Sequence, residues 1–185
     1  GSIWEKSDLH TRIYIIYNMA LFVNKHQGKG KDDEFYTLKH DWEKIEKYIP
    51  KDKVVWEAFS NGKYEGVEYL QSICKKVITN TGDFFENTPE YDIVITNPPF
   101  SIKRDVLLKL KELDKPFICI LPTLSLQTKY MKNIFNGDLQ VIFPTKKIFF
   151  YKIVDGKKKV YDKISYYCCY VCYKMNLPKD IIWLD

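Results

Sequence analysis

The stretch Tyr91-Asp92-Ile93-Val94-Ile95-Thr96-Asn97-Pro98-Pro99-Phe100 decides the fold and marks the candidate site. Its first part is apolar and β-branched, as in a buried strand. Two prolines cannot continue a sheet ladder, so the strand must end in a rigid, extended turn. The Asn97 side chain and the Pro98 carbonyl can accept hydrogen bonds from a planar amine, while the Phe100 ring can stack on the attached ring. The pattern predicts a site for the exocyclic amine of a base, and an ordinary proline-terminated strand is the alternative.

Segments typical of strands and helices alternate on both sides of this stretch. Strands are predicted at Val54–Trp56, Lys76–Thr79, Ile93–Thr96, Phe117–Leu121 and Leu139–Phe143. Helices are predicted at Asp41–Tyr48, Val67–Cys74, Ser101–Leu113 and Ser125–Phe135. Continuous apolar strands that alternate with helices indicate an α/β, Rossmann-like fold, in which a mostly parallel sheet carries helices on both faces.

The C-terminal tail departs from this alternation. Two segments typical of strands, Lys147–Lys152 and Lys159–Met175, flank the dipeptide Asp155-Gly156. Asp-Gly between two strands is a strong hairpin signal, because both residues tolerate the positive φ of a tight turn. We therefore expect an antiparallel C-terminal hairpin that closes the otherwise parallel sheet.

The first 32 residues differ from the rest of the chain. Apolar side chains between Ile13 and Val23 follow a helical stripe, and the loop after Lys25 is rich in glycine and lysine. The apolar run is too short to span a bilayer, so no membrane association is expected. We predict an N-terminal helix and flexible loop over residues 1–32, followed by one domain over residues 33–185. The helix could mediate a homodimer or a heterodimer through its apolar stripe.

The five cysteines predict reduced thiols rather than disulfides or a metal site. Cys168 and Cys169 are neighbours on a predicted strand, so their side chains face opposite ways and cannot share a metal ion without a bulge. Reduced core thiols point to an intracellular, reducing compartment. The net charge of +5 permits a polyanionic partner without requiring one.

Three polar turns follow strands of the predicted sheet, at Glu57–Gly62, Asp83–Phe85 and Asn97–Phe100. In an open parallel sheet, ligands bind where the carboxyl ends of the strands meet the following loops. The coincidence of three such turns at one edge of the sheet predicts a ligand site there.

The motifs at this edge resemble those of one enzyme family. Asn97-Pro98-Pro99-Phe100 matches the pattern (Asp/Asn)-Pro-Pro-(Tyr/Phe), and Phe35-Tyr36-Thr37 stands before the first predicted strand. From about Asp33 onward the chain resembles the class I S-adenosylmethionine-dependent methyltransferases, most closely the adenine-N6 group in its small phage and giant-virus-type members. The resemblance implies methyl transfer from S-adenosylmethionine to the N6 amine of adenine in DNA or RNA, in the host cytoplasm if the protein is viral.

The resemblance also implies roles for individual residues. The implied catalytic residues are Asn97, Pro98, Pro99 and Phe100, and the implied substrate-binding residues are Phe100, Lys103 and Lys147. The implied cofactor-binding residues are Phe35, Tyr36, Thr37, Glu57, Phe59, Asn61, Gly62, Asp83 and Phe84. No metal is implied.

Two departures from the family pattern keep other functions open. Ala58 replaces the usual proline of the cofactor motif, and Lys63 stands where the backbone should approach the ligand closely. A catalytically silent methyltransferase-like protein that binds nucleic acid or supports an active partner is one alternative. Methylation of guanine N2 or of a glutamine amide is another, because these planar amines share the same catalytic motif.

Overall fold

Strands and helices alternate along the chain in a computed structural model that describes residues 35–60, 63–162 and 166–185. The strands are β1 Tyr36–Thr37, β2 Val54–Trp56, β3 Lys76–Ile78, β4 Ile93–Thr96, β5 Phe117–Pro122, β6 Gln140–Phe143, β7 Phe150–Val154, β8 Lys157–Tyr161, β9 Cys168–Tyr173 and β10 Ile181–Trp183. The α-helices are α1 Lys39–Glu43, α2 Glu65–Ile73, α3 Lys103–Leu113 and α4 Lys129–Phe135. The 3-10 helices are Glu46–Tyr48, Phe100–Ile102 and Thr123–Gln127.

The predicted N-terminal helix and loop lie outside the described residues, as do Asn61 and Gly62. The division of the chain at residues 32 and 33 therefore stays a prediction. Within the part of the chain that the structure describes, no helix is both long and apolar enough to cross a membrane.

The main sheet has the strand order β10-β6-β9-β5-β4-β2-β3 within the described residues. Strands β3, β2, β4 and β5 run parallel to one another, and β10 runs parallel to β6. Strand β9 is inserted between β5 and β6 and is antiparallel to both. The order reverses between β2 and β4, which is the point where ligands bind in doubly wound sheets. The predicted Rossmann-like, mostly parallel sheet is confirmed.

The predicted hairpin exists, but its place in the fold differs from the expectation. Strands β7 and β8 pair antiparallel around Asp155 and Gly156, whose φ angles of 50° and 73° suit the tight turn. In the described parts of the chain, the hairpin pairs with β1 in a separate three-stranded sheet and does not close the main sheet. The expectation that Lys159–Met175 forms one strand was also wrong. Exposed lysines in β8 cannot enter a buried sheet, whereas β9 is buried at all six positions and can.

Helices cover both faces of the main sheet, as the sequence predicts. One buried cluster joins the sheet to α1 and α2, and the other joins it to α3 and α4. Within β9, Cys168 and Cys172 belong to the first cluster and Cys169 to the second, because successive side chains alternate across a strand. The five cysteines are free and buried. Within the described residues no group of side chains could hold a metal ion.

Two predicted helices are shorter than expected. The segment predicted at Asp41–Tyr48 is split into α1 and a 3-10 turn, and its residues Asp41 and Trp42 are buried. The segment predicted at Ser125–Phe135 is interrupted at Thr128, whose backbone is extended and whose hydroxyl accepts a hydrogen bond from Met131 N–H. Thr128 therefore caps a new helix instead of continuing the preceding one.

Gly66, in the first turn of α2, allows the helix to pack closely on β1. A Cβ atom at this position would lie 2.8 Å from the Thr37 carbonyl oxygen and 3.2 Å from the Trp42 ring. Because a backbone oxygen cannot move aside cheaply, we expect Gly66→Ala to lower the free energy of unfolding by about 1–2 kcal/mol. Urea denaturation measures this, with the exposed Gln71→Ala in the same helix as the control. Equal stability of the two variants would contradict the close approach.

A candidate ligand cleft beside the proline turn

A cleft opens where the carboxyl ends of β2 and β4 meet β1. The space in it that the centre of a water molecule can reach is about 20 Å³. Six of the predicted site residues line it, namely Phe35, Tyr36, Thr37, Glu57, Phe59 and Asn97. These residues come from three separate parts of the sequence, and the fold brings them together at the predicted sheet edge.

Asn97, at the end of β4, holds one of four buried side-chain polar atoms that have no hydrogen-bond partner among the described residues. Its side-chain Nδ2 donates to the Phe35 carbonyl at 3.2 Å, which fixes the orientation of the amide. Its Oδ1 is buried and accepts no hydrogen bond from any described residue. A buried polar atom without a partner costs free energy, about 1–3 kcal/mol, so such an atom is a candidate for binding a ligand. Pro98, which follows, is buried as well.

Phe100 begins the turn after the prolines and lies half-buried. Its ring makes edge contacts with Phe150, at 5.9 Å between centroids, and with Tyr166, at 6.1 Å. Lys103 donates to the Phe100 carbonyl at 3.0 Å. The Lys147 ammonium lies 4.8 Å from the centroid of the Tyr167 ring. The two lysines predicted to bind substrate therefore lie close to Phe100 and Tyr167, respectively.

Glu57 is a buried carboxyl group at the end of β2, with 4% of its surface exposed. Its Oε1 accepts hydrogen bonds from the Thr96 hydroxyl and from Phe59 N–H, the latter at 3.2 Å. Burial raises the pKa of Glu57 to about 8, and the two hydrogen bonds oppose this rise. Removal from water disfavours the charged form, so the group is mostly protonated at neutral pH. Thr96 and Glu57 also link the ends of two neighbouring strands.

The acidic-aromatic turn after β3 lies outside the lining of the cleft. Asp83 is exposed, and its carboxylate accepts the Phe85 N–H at 2.7 Å, which closes a local turn. Phe84 is only 3% exposed, and its ring packs between those of Trp56 and Phe59, at centroid distances of 5.2 Å and 4.8 Å. Phe84 thus supports the cleft residue Phe59 from behind. Cofactor contacts by Asp83 and Phe84 stay predictions.

The cleft also contains residues that sequence reasoning missed. They are Trp42, Ser60, Tyr64, Gly66 and Val67. The Tyr64 ring stacks on the Tyr36 ring, with 3.6 Å between the ring centroids and 15° between the ring planes. The two rings form one wall of the cleft. The only available sequence signal was the position of Tyr64 between the polar turn at Glu57–Gly62 and the helix predicted at Val67–Cys74. Its partner Tyr36 lies 28 positions earlier in the numbering, so their stacking depends on the fold.

Comparison with known proteins supplies distant similarities only. No protein-family model matches the chain, and no curated protein matches its sequence. Among solved structures, one similar protein is described as an RNA methyltransferase of Pyrococcus horikoshii, with 18% identity, a TM-score of 0.42, and coverage of 71% of this chain and 79% of the other. A tRNA methyltransferase of Aquifex aeolicus has 17% identity and a TM-score of 0.37, and the match covers 71% of this chain and 66% of the other. A precorrin-6y C5,15-methyltransferase of Geobacter metallireducens has 12% identity, a TM-score of 0.42, and coverage of 78% and 97%. At these values the similarities assign no activity to the chain.

Proposed function

We propose that the protein is an S-adenosylmethionine-dependent methyltransferase that acts on the exocyclic N6 amine of adenine in DNA or RNA. One observation carries the proposal. The Asn97 Oδ1 atom is a buried acceptor without a partner among the described residues, and it borders a cleft lined by six predicted site residues. An amine N–H that binds there would satisfy this atom and recover the free energy lost by its burial.

The residues of the cleft suit a cationic, aromatic cofactor. Glu57 places a carboxyl group at the cleft, where a positive charge on the ligand would favour its ionised form. Phe59, Tyr36 and Tyr64 offer aromatic rings for stacking on an adenine ring. S-adenosylmethionine would supply a methyl group on a sulfonium. We assign Phe35, Thr37, Asn61 and Gly62 to the same cofactor site.

The proline turn would prepare the acceptor amine for attack. The lone pair of an aromatic amine is delocalised into its ring, which makes the nitrogen a poor nucleophile. Hydrogen bonds accepted by Asn97 Oδ1 and by the Pro98 carbonyl would favour a pyramidal nitrogen and stabilise the positive charge that develops on it. Pro98 and Pro99 restrict the backbone of the turn, so little reorganisation is needed. The Phe100 ring would stack on the base.

Adenine is favoured over other planar amines by the combination of motifs. Phe35-Tyr36-Thr37 and Glu57-x-Phe59 occur together with the proline turn and line the same cleft. Mass spectrometry of nucleosides, after incubation of the protein with donor and nucleic acid, would separate N6-methyladenine from N2-methylguanine. Methylation of a glutamine amide would instead appear in a protein substrate.

Titration with S-adenosylmethionine tests the proposal most directly. We expect measurable heat of binding and stabilisation of the fold by about 2.7 kcal/mol when the ligand is at 100 times its dissociation constant. The variant Phe59→Ala should bind more weakly, while Phe149→Ala, outside the cleft lining, serves as the control. The departures at Ala58 and Lys63 support the catalytically silent alternative. Absence of binding would favour that alternative.

Several further parts of the proposal concern location and assembly. An intracellular, reducing compartment agrees with five free, buried cysteines, and in a viral protein this compartment would be the host cytoplasm. The apolar stripe of the predicted N-terminal helix is proposed as a dimerisation surface. Sedimentation of the full chain and of a variant with charged residues in that stripe would test it.

A further inference from the structure

Exposed aromatic side chains lie next to the proline turn, outside the cleft. The Tyr167 side chain is 57% exposed and Tyr166 is 37% exposed. The centroids of the Tyr166 and Phe100 rings lie 6.1 Å apart, so the exposed tyrosines adjoin the last residue of the Asn97–Phe100 motif. The Tyr167 carbonyl accepts the Thr123 N–H at 2.9 Å, which anchors the tyrosine backbone to the end of β5. Leu124, which follows Thr123 in the sequence, is 73% exposed.

Basic side chains lie close to these tyrosines and to Phe100. The Lys147 ammonium lies 4.8 Å from the Tyr167 ring centroid, and Lys103 lies at the Phe100 carbonyl. The segments 97–104 and 143–152 contain four lysines and one arginine and no acidic residue. We call Tyr166, Tyr167 and Lys147 the tyrosine platform.

We propose that the tyrosine platform binds an unpaired stretch of nucleic acid, with the Tyr167 ring stacked on a base next to the target base and Lys147 close to a phosphate. This inference rests on the proposed function, because the target base would occupy the neighbouring Phe100 site. Aromatic rings bind any base by its face, and a lysine beside the ring neutralises the backbone. In a duplex, the faces of the bases are covered by their neighbours, so a stacking platform selects unpaired strands.

The platform also explains how a small protein could reach its target amine. Extracting a base from a duplex costs a few kcal/mol, and a single strand avoids most of that cost. The tyrosines and lysines can recognise what single-stranded DNA and RNA share, which is unpaired bases joined by phosphates. Sequence selectivity is not required for this mode of binding.

Fluorescence anisotropy without methyl donor tests the platform. The probes are fluorescein-labelled, adenine-containing oligonucleotides as single-stranded DNA, single-stranded RNA and duplex DNA of the same sequence. We expect Tyr167→Ala to weaken binding of at least one single strand about ten-fold, and Tyr167→Phe to bind within two-fold of the wild type. Lys147→Gln should reduce the slope of log affinity against log salt concentration by about 0.7.

A second lysine–tyrosine pair supplies the control. Lys47 lies 5.1 Å from the Tyr48 ring centroid, ahead of the amino end of β2 and therefore at the opposite edge of the main sheet. Tyr48→Ala should leave oligonucleotide binding unchanged, with folding checked by circular dichroism.

Three outcomes would overturn the platform: unchanged binding by Tyr167→Ala, tighter binding of the duplex than of both single strands, or no oligonucleotide binding by the wild type. The titration with S-adenosylmethionine is independent of these outcomes. If the protein binds S-adenosylmethionine and Tyr167→Ala binds the oligonucleotides as tightly as the wild type, only the platform is refuted. If the protein does not bind S-adenosylmethionine but Tyr167→Ala clearly weakens oligonucleotide binding, the enzymatic function is refuted and the nucleic-acid-binding surface is supported.

Discussion

Asn97→Ala is expected to lower the rate of the proposed methyl transfer to adenine by about 10²–10³-fold, the usual effect of removing one preorganised hydrogen-bonding group from a developing charge. The substitution removes the Oδ1 atom, which is buried and accepts no hydrogen bond from the described residues. The affinity for S-adenosylmethionine should change only a few-fold, because Asn97 is assigned to the acceptor amine. Single-turnover kinetics with radiolabelled donor would measure the rate.

The stability of the same variant distinguishes a functional role from a structural one. Asn97→Ala loses the 3.2 Å hydrogen bond to the Phe35 carbonyl, but it also removes a buried acceptor that lacks a partner. These effects oppose each other, so the free energy of unfolding should change by no more than about 1 kcal/mol. Asn97→Asp keeps acceptor oxygens at this position and should retain at least ten-fold more activity than Asn97→Ala. Equal activity of wild type and Asn97→Ala would refute the assignment of Asn97 to catalysis.

Glu57→Gln is expected to abolish a loss of stability that the wild type shows as the pH rises from about 5 to 8. The unfolded carboxyl group has the ordinary pKa of 4.5, whereas burial raises the pKa of Glu57 to about 8 in the folded protein. Between these values only the folded state holds the proton. The stability that this proton contributes is therefore fully present below pH 4.5 and is lost as the pH rises to 8, at about 1.4 kcal/mol per pH unit.

Glutamine keeps an oxygen that can accept from Thr96 and Phe59 but carries no ionisable proton. Urea denaturation at several pH values between 5 and 8.5 should show a stability difference between Glu57→Gln and wild type that grows with pH. The exposed Glu86→Gln serves as the control and should show no such growth. A difference that stays constant across this range would mean that Glu57 ionises at its ordinary pKa.

The same proton should couple pH to cofactor binding. A cation that binds beside Glu57 favours the carboxylate, so below pH 8 its binding must release the proton. The affinity of the wild type for S-adenosylmethionine should therefore rise with pH up to about 8. The affinity of Glu57→Gln should depend less on pH and should be lower than that of the wild type at pH 8.5. Calorimetric titrations at these pH values would measure both trends.

Local chemistry explains why so much of the main sheet could be predicted. Strands β2 and β4 occur where predicted, because apolar and β-branched residues there are bounded by a polar turn or by prolines. The Asp155-Gly156 turn was predicted for the same reason, since its positive φ angles favour these residue types. Features that depend on a few adjacent residues can be derived without knowing what they pack against.

The pairing partners of the tail could not be derived in this way. Both β8 and β9 have the composition of strands, but only β9 lies in the main sheet. Their assignment depends on burial against helices that are far away in the sequence. Phe84 shows the same limit, because its aromatic character suited a ligand contact as well as the core position it occupies beside Trp56.

The amino-acid sequence by itself determined the alternation of strands and helices, the rigid turn at Asn97, and the chemical types of the candidate site residues. Tertiary structure alone decided that Asn97 Oδ1 lacks a partner among the described residues, that Glu57 is buried enough to hold a proton at neutral pH, and that Tyr64 stacks on Tyr36. The physical reason is that backbone preferences are set by neighbouring residues, whereas burial and hydrogen-bond partners come from segments that meet only when the chain folds.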